Sequence, residues 1–193
     1  MKYNTVITEA NEGNHSPHQT KLSWQWIDDC TEKYRSARLY HVVFANLKEH
    51  ATCAGYINQK AVLKDLMQKL KRKGMNASYR AAREVDEKKG EHLHVYICVE
   101  ASEKIPDGIL NRIKNGWLST YTRKRGLQVY LNEPKDPMHS GNSYISLPKS
   151  KPNKIADAKI WVSYLHKARS KPSRGEIYTA SRGEKRNSQK LLH

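Results

Sequence analysis

Alternating apolar and polar positions mark the centre of this chain. Between Leu93 and Val99 every second residue is apolar, the period of a strand with one face on a core, so we predict a strand over 92–100. The preceding residues predict a partner strand over 77–85, and the EKKGE sequence between them predicts a hairpin turn. Composition predicts further strands at 38–47, 127–131 and 176–180, with SYISL inside the proline-rich loop 132–155 as an edge strand or hairpin arm.

Apolar residues spaced three and four apart predict amphipathic helices. Their ranges are 22–34, 56–73, 108–125 and 156–169. Gly74 and Gly126 follow two of them as stop signals. In chain order these elements predict an α+β fold, with helices packed on a central antiparallel sheet and the sequence His92-Leu93-His94 on a middle strand.

Composition divides the chain into three parts. Residues 1–20 are polar and lack a sustained period, so with the helix that follows they form an N-terminal arm and helix over 1–36. We place one domain over 37–183 and a basic C-terminal tail over 184–193. A chain of 193 residues is long enough for one sizeable core.

The charge points to a polyanionic partner. Lys and Arg number 35 against 19 Asp and Glu, giving a formal charge of +16. Nucleic acid is the favoured partner, because Lys and Arg spread along the chain can neutralise phosphates and release their counterions. A membrane is not favoured, since the sequence has no apolar anchor and no signal-peptide core. We therefore expect a cytoplasmic protein. Cys30, Cys53 and Cys98 lie far apart and support neither a disulfide framework nor a zinc ribbon.

His92 and His94 share the polar face of their strand, about 7 Å apart, where two imidazoles can converge on one cation. A carboxylate on the partner strand would supply a third ligand, and Glu84 and Asp86 are both candidates. If Asp86 pairs with His92 around a five-residue loop, Glu84 lies opposite His94 on the same face, so the choice of ligand depends on the register of the hairpin. A slip of one residue would turn both carboxylates to the other face. The alternative is two solvent-facing strand histidines.

Two tyrosine–lysine pairs have the spacing that brings side chains together on a helix: Tyr164 with Lys167, and Tyr121 with Lys124. A tyrosine hydroxyl can attack a phosphodiester when a cation neutralises the phosphate. The alternative for Tyr164 is a core tyrosine on an amphipathic helix.

The order of these motifs resembles the HUH endonucleases, specifically the single-tyrosine replication initiators of rolling-circle plasmids and filamentous phages, over about residues 38–183. HVVFANL is similar to the first motif of that family, HLHVYI to its His-hydrophobe-His motif, and YLHK to its catalytic YxxK helix. The segment YLHKARSKPSRGEIYTASRG is similar to the tyrosine region of phage-type initiators.

The resemblance implies a site and an activity. His92, His94 and Glu84 would bind Mg²⁺ or Mn²⁺. Tyr164 would be the nucleophile and Lys167 its companion. Tyr121 is set aside, because the nucleophile of the family lies on the helix after the following strand. The enzyme would cleave one strand of single-stranded or hairpin origin DNA, keep the 5′ phosphate on Tyr164, and later rejoin the strand. Basic residues would line the path of the DNA: Arg80, Arg83, Lys88, Lys89 and Arg182.

The resemblance also implies partners. The sequence has no Walker-type GxxxxGK[ST] motif, so a host helicase would unwind the origin and a host polymerase would extend the free 3′ end. Two other functions fit the same features. A transposase would use the same side chains, and a non-catalytic nucleic-acid-binding protein would explain the charge without a role for Tyr164.

Overall fold

Antiparallel pairing organises the chain into a six-stranded sheet in the computed structural model. The structure describes residues 16–47, 55–86, 90–102, 105, 108–134, 142–166, 171–172 and 176–181. Its strands are β1 (Ser36–Asn46), β2 (Ala77–Asp86), β3 (Gly90–Glu100), β4 (Leu127–Asn132), β5 (Tyr144–Pro148) and β6 (Tyr178–Ala180). They follow the order β4-β1-β3-β2-β6, with β5 pairing β1 beside β4, so the predicted middle position of the His-x-His strand is confirmed.

The helices are α1 (Pro17–Lys33), α2 (Gly55–Arg72), α3 (Ile109–Ile113), α4 (Ser119–Arg123) and α5 (Pro152–Ser163). The first begins earlier than the apolar spacing predicts, because Ser16 accepts a hydrogen bond from the Gln19 amide as its N-cap and Pro17 fits the first turn. Among the described helices, none is both long and apolar enough to cross a membrane.

Strand alternation sends side chains to two separate cores, one on each face of the sheet. On one face, odd-numbered residues of β3 such as Leu93 and Val95 pack with α2 and with α3. On the other face, Tyr96 and Cys98 pack with α1 and α5. His92 and His94 share the face of Tyr96, so they lie on the side that α1 and α5 cover. The predicted α+β class is therefore confirmed.

The structure settles the hairpin register that the sequence left open. Glu84 lies opposite His92, and Asp86 lies opposite Gly90. The pairing of Asp86 with His92 that a five-residue loop would require is not formed, because β3 starts at Gly90. The two registers differ by an even number of residues, so Glu84 stays on the face of both histidines. The Asp86 side chain lies outside the described residues.

Two predicted regular helices contain irregular turns. The helix predicted over 108–125 changes to π-helical hydrogen bonding over Lys114–Leu118, between α3 and α4. The helix predicted over 156–169 begins earlier, at Pro152, and tightens into a 3₁₀ turn over Tyr164–His166. Apolar spacing cannot distinguish these variants from an α-helix, because the periods differ too little over one turn.

Candidate metal centre

Glu84, His92 and His94 form a cluster whose potential ligand atoms all lie within 4.8 Å of one another. The Nε2 atom of His92 is 3.6 Å from Glu84 Oε2, and the Nε2 atom of His94 is 3.3 Å from the same oxygen. The two imidazole rings stand edge to face with their centroids 4.9 Å apart. Three protein ligands arranged this way can hold a divalent ion and leave positions open for water or a phosphate oxygen.

His92 is oriented for metal binding by its own strand. Its Nδ1–H donates to the carbonyl of Gly90 at 3.0 Å, and its side chain is almost fully buried. A backbone carbonyl can only accept, so the proton is on Nδ1 and the lone pair of Nε2 faces Glu84. Such a hydrogen bond on the second nitrogen is the usual support of a metal-bound histidine.

His94 is held by a second histidine. Its Nδ1 lies 2.9 Å from Nε2 of His41, and Nδ1 of His41 lies 3.2 Å from the Asn132 side-chain amide. The His41 ring is buried and stacks on Tyr96 with centroids 4.3 Å apart. The chain from Asn132 through His41 therefore fixes the orientation of His94 from β1 and β4.

Lys171 occupies the other side of Glu84, with its ammonium 2.6 Å from Oε1. Burial acts to raise the pKa of Glu84, but the neighbouring imidazoles of His92 and His94 and the charge of Lys171 outweigh it and hold that pKa well below its ordinary value. Burial lowers the pKa of His94 and also that of Lys171. The carboxylate is thus ionised and His94 is neutral near pH 7, as metal ligands must be.

Tyr164 lies at the end of α5, on the face of the sheet that carries the cluster. One helical turn earlier, the Trp161 ring stands edge-on to His41 at 5.8 Å and to Tyr96 at 5.1 Å, and its carbonyl accepts a hydrogen bond from the Tyr96 hydroxyl. Burial raises the pKa of Tyr96, and the nearby Tyr164 is the second contributor. The Tyr164 side chain is 45% exposed, so it is not a core tyrosine.

The predicted DNA-contacting residues are placed differently from one another. Arg80 is buried and donates to the Leu22 carbonyl and the Gln19 side chain, so it supports α1 and we no longer place it on a DNA-contacting surface. Arg83 pairs with Glu91. Lys88, Lys89 and Arg182 lie outside the described residues, as does the predicted companion Lys167.

Sequence reasoning missed His41 and Lys171. His41 lies inside the predicted first strand, and its place on the His94 face follows only from the pairing of Val43 with His94 across β1 and β3. The polar residue in an otherwise apolar strand was the available signal. Lys171 lies in an irregular segment far along the chain, so no local pattern links it to Glu84.

Fold and cluster together define an α+β protein with a candidate His-His-carboxylate metal centre on its sheet. No protein-family model matches the chain, and no curated protein has a matching sequence. Among solved structures, the chain is similar to the N-terminal nuclease domain of non-structural protein 1 of minute virus of mice, described as having Zn²⁺ coordination in its active-site pocket and DNA recognition at the origin of replication. The TM-score is 0.43 at 12% identity, covering 93% of this chain and 100% of that chain. Similarity at this level does not assign a family.

Proposed function

We propose that this chain is a metal-dependent endonuclease of the HUH type that nicks and rejoins single-stranded DNA through Tyr164. The observation that carries the proposal is the convergence of His92, His94 and Glu84 on one point of the sheet face over which α5 packs. A hydroxyl at the end of that helix and a cation held by the sheet are the two groups that phosphodiester transesterification needs.

The residues fit a divalent ion. The Nε2 atoms of both histidines face Glu84 Oε2, while Oε1 is engaged by Lys171. When bound, the ion would polarise the scissile phosphate and offset its charge. Because two of the three ligands are imidazoles, we expect Mn²⁺ to bind more tightly than Mg²⁺, which prefers oxygen ligands.

In the proposed step, the Tyr164 oxygen forms a bond to phosphorus as the bond from phosphorus to the 3′ oxygen of the preceding nucleotide breaks. The tyrosine gives up its proton and the departing oxygen gains one, leaving a 3′ hydroxyl and a 5′ phosphotyrosine. One phosphodiester replaces another, so the reverse attack by a 3′ hydroxyl can rejoin the strand. This is the chemistry that rolling-circle initiation at an origin would use, with a helicase and a polymerase from the host.

Covalent trapping tests the proposal. A pool of single strands of randomised sequence, labelled at the 3′ end, is incubated with the protein and Mn²⁺ and then denatured in detergent. We expect label to remain on the protein, to be lost with EDTA, and to be absent in Tyr164→Phe. Tyr121→Phe is the matched control, since Tyr121 belongs to the other YxxK pair and packs against the opposite core.

Adduct that persists in Tyr164→Phe would remove Tyr164 from this role. Salt-sensitive DNA binding that ignores EDTA, with no adduct in any condition, would favour the non-catalytic nucleic-acid-binding protein. Sequencing the DNA recovered from the adduct would give the cleaved sequence.

A further inference from the structure

A cleft of about 610 Å³ opens on the face of the sheet opposite the metal cluster. It lies between the end of α2 and the irregular helix of 109–123. Its lining combines cations, apolar side chains and one large aromatic ring: Lys69, Lys73, Arg112, Met75, Ile109, Ile113, Gly116 and Trp117. Met75 adjoins the far end of β3, so roughly 25 Å of strand separates the cleft from His92.

Among the described residues, the cleft is lined by three cationic side chains and by no acidic one. These are Lys69, Lys73 and Arg112, and none of the three forms an ion pair with another described residue. A concave surface with several cations and no paired carboxylates attracts phosphate.

Aromatic rings supply the second element of the cleft. Trp117 stacks on Tyr121 with centroids 4.6 Å apart, and the Lys69 ammonium lies 4.5 Å from the Trp117 ring centre. An exposed cation–π contact is worth about 0.5–1 kcal/mol, whereas a nucleobase stacked on an aromatic side chain is worth about 1–3 kcal/mol. A base can therefore replace Lys69 on Trp117, and the released ammonium can meet the adjoining phosphate.

The backbone at the cleft is unusual in the same place. Gly116 and Trp117 lie within the π-helical turn Lys114–Leu118, and such turns often mark binding sites. A Cβ added at Gly116 would have no atom within 4 Å. No neighbour therefore packs against the position that a side chain at Gly116 would occupy first.

We infer that this cleft is a second binding site for single-stranded nucleic acid, in which one unpaired base stacks on Trp117 and the flanking phosphates contact Lys69, Lys73 and Arg112. The inference goes beyond nicking, since it needs neither the metal cluster nor Tyr164. A duplex would not fill the site, because its bases are already stacked.

Fluorescence anisotropy with a labelled oligo(dT) of about 16 nucleotides tests the site, in EDTA so that the metal cluster does not contribute. We expect Trp117→Ala to weaken binding about tenfold. Gly116→Leu adds a side chain at a lining position where a Cβ meets no atom within 4 Å. We expect a similar loss of binding from this variant, with a circular dichroism spectrum of wild-type shape showing that it is folded.

Lys69→Glu/Lys73→Glu measures the role of the charge. Its matched control is Lys64→Glu/Lys71→Glu, which makes the same charge change at exposed positions that do not line the cleft. We expect a much larger loss of oligo(dT) affinity from the cleft pair than from the control pair. For two lost phosphate contacts, the slope of log affinity against log salt concentration should become shallower by about 1.4. Crosslinking of 5-iododeoxyuridine strands should map to Trp117 or Tyr121.

Equal losses from the two double variants, or wild-type affinity in Gly116→Leu, would overturn the site, as would absence of any oligo(dT) binding. The result is distinguishable from the fate of the proposed function, because oligo(dT) binding is measured in EDTA, whereas the covalent adduct requires Mn²⁺ and is measured separately. If the wild-type protein forms the covalent adduct but the cleft variants bind oligo(dT) with wild-type affinity, the proposed endonuclease activity stands and the second binding site is rejected.

Discussion

At the scale of single residues, Glu84 divides its two oxygens between different tasks. Oε2 faces the two histidines, and Oε1 meets the ammonium of Lys171 at 2.6 Å. Both members of the Glu84–Lys171 pair are largely buried. Removal of one leaves the other as an uncompensated charge, which is more costly than replacing the pair.

We therefore expect Glu84→Gln to lower the free energy of unfolding by about 3 kcal/mol and to abolish metal binding. The double variant Glu84→Gln/Lys171→Met should recover most of that stability without recovering the metal. Urea denaturation and calorimetric titration with Mn²⁺ measure the two effects separately. If the double variant is no more stable than Glu84→Gln, the unpaired charge of Lys171 is not what destabilises the single variant.

His41 holds His94 without belonging to the three-ligand cluster. For Nε2 of His94 to bind a metal, its Nδ1 must carry the proton and donate to His41. We expect His41→Phe, which can keep the stack on Tyr96, to weaken Mn²⁺ binding about 10- to 100-fold. His18→Phe, at an exposed position of α1, is the control and should bind as the wild type does. Unchanged affinity in His41→Phe would show that His94 is oriented by other contacts.

At the scale of elements, the β2–β3 hairpin decides which side chains meet. Glu84 lies opposite His92, whereas a five-residue loop would have put it opposite His94. The two registers differ by an even number of residues, so Glu84 shares the face of both histidines in either one. Whether a register shift is even or odd therefore decides if the carboxylate faces the histidines, whereas the size of the shift matters less.

A swap of neighbours tests this. In Glu84→Val/Val85→Glu the composition and charge are unchanged, but the carboxylate moves to the opposite face of the strand. Metal binding in a calorimetric titration should fall below detection while the far-ultraviolet circular dichroism keeps its wild-type shape. Retained Mn²⁺ affinity would mean that Glu84 is not the third ligand.

At the scale of the whole molecule, two helical layers enclose the sheet and bury the histidines. Burial, followed by the charge of His94, lowers the pKa of His41 well below 6.5, and burial lowers the pKa of His94 in the same direction. The unfolded chain therefore binds more protons than the folded one once the pH falls below about 6.5.

We thus expect the free energy of unfolding of the metal-free protein to decrease as the pH is lowered from about 7.5 to about 5.5, by at least about 1 kcal/mol. Denaturation in the presence of EDTA at both pH values measures the change. His41→Phe should show a smaller dependence, since one titrating group is gone. A stability that rises toward acid pH would contradict the buried, neutral state of these rings.

The sequence by itself determined what local periodicity and spacing encode. Alternation located β3 and put His92 and His94 on one face, and helical spacing located the helix before Tyr164. These features depend on neighbours a few residues apart, so the chain order is enough to predict them.

Only the tertiary structure decided which distant residues meet. The pairing of β1 with β3 brought His41 to His94, and an irregular segment brought Lys171 to Glu84. Whether β3 starts at Gly90 or His92, and whether a helix contains a π turn at Gly116, depends on small energy differences that packing settles. Residue patterns predict the faces of the elements, but the contacts between elements follow from the packing of the whole chain.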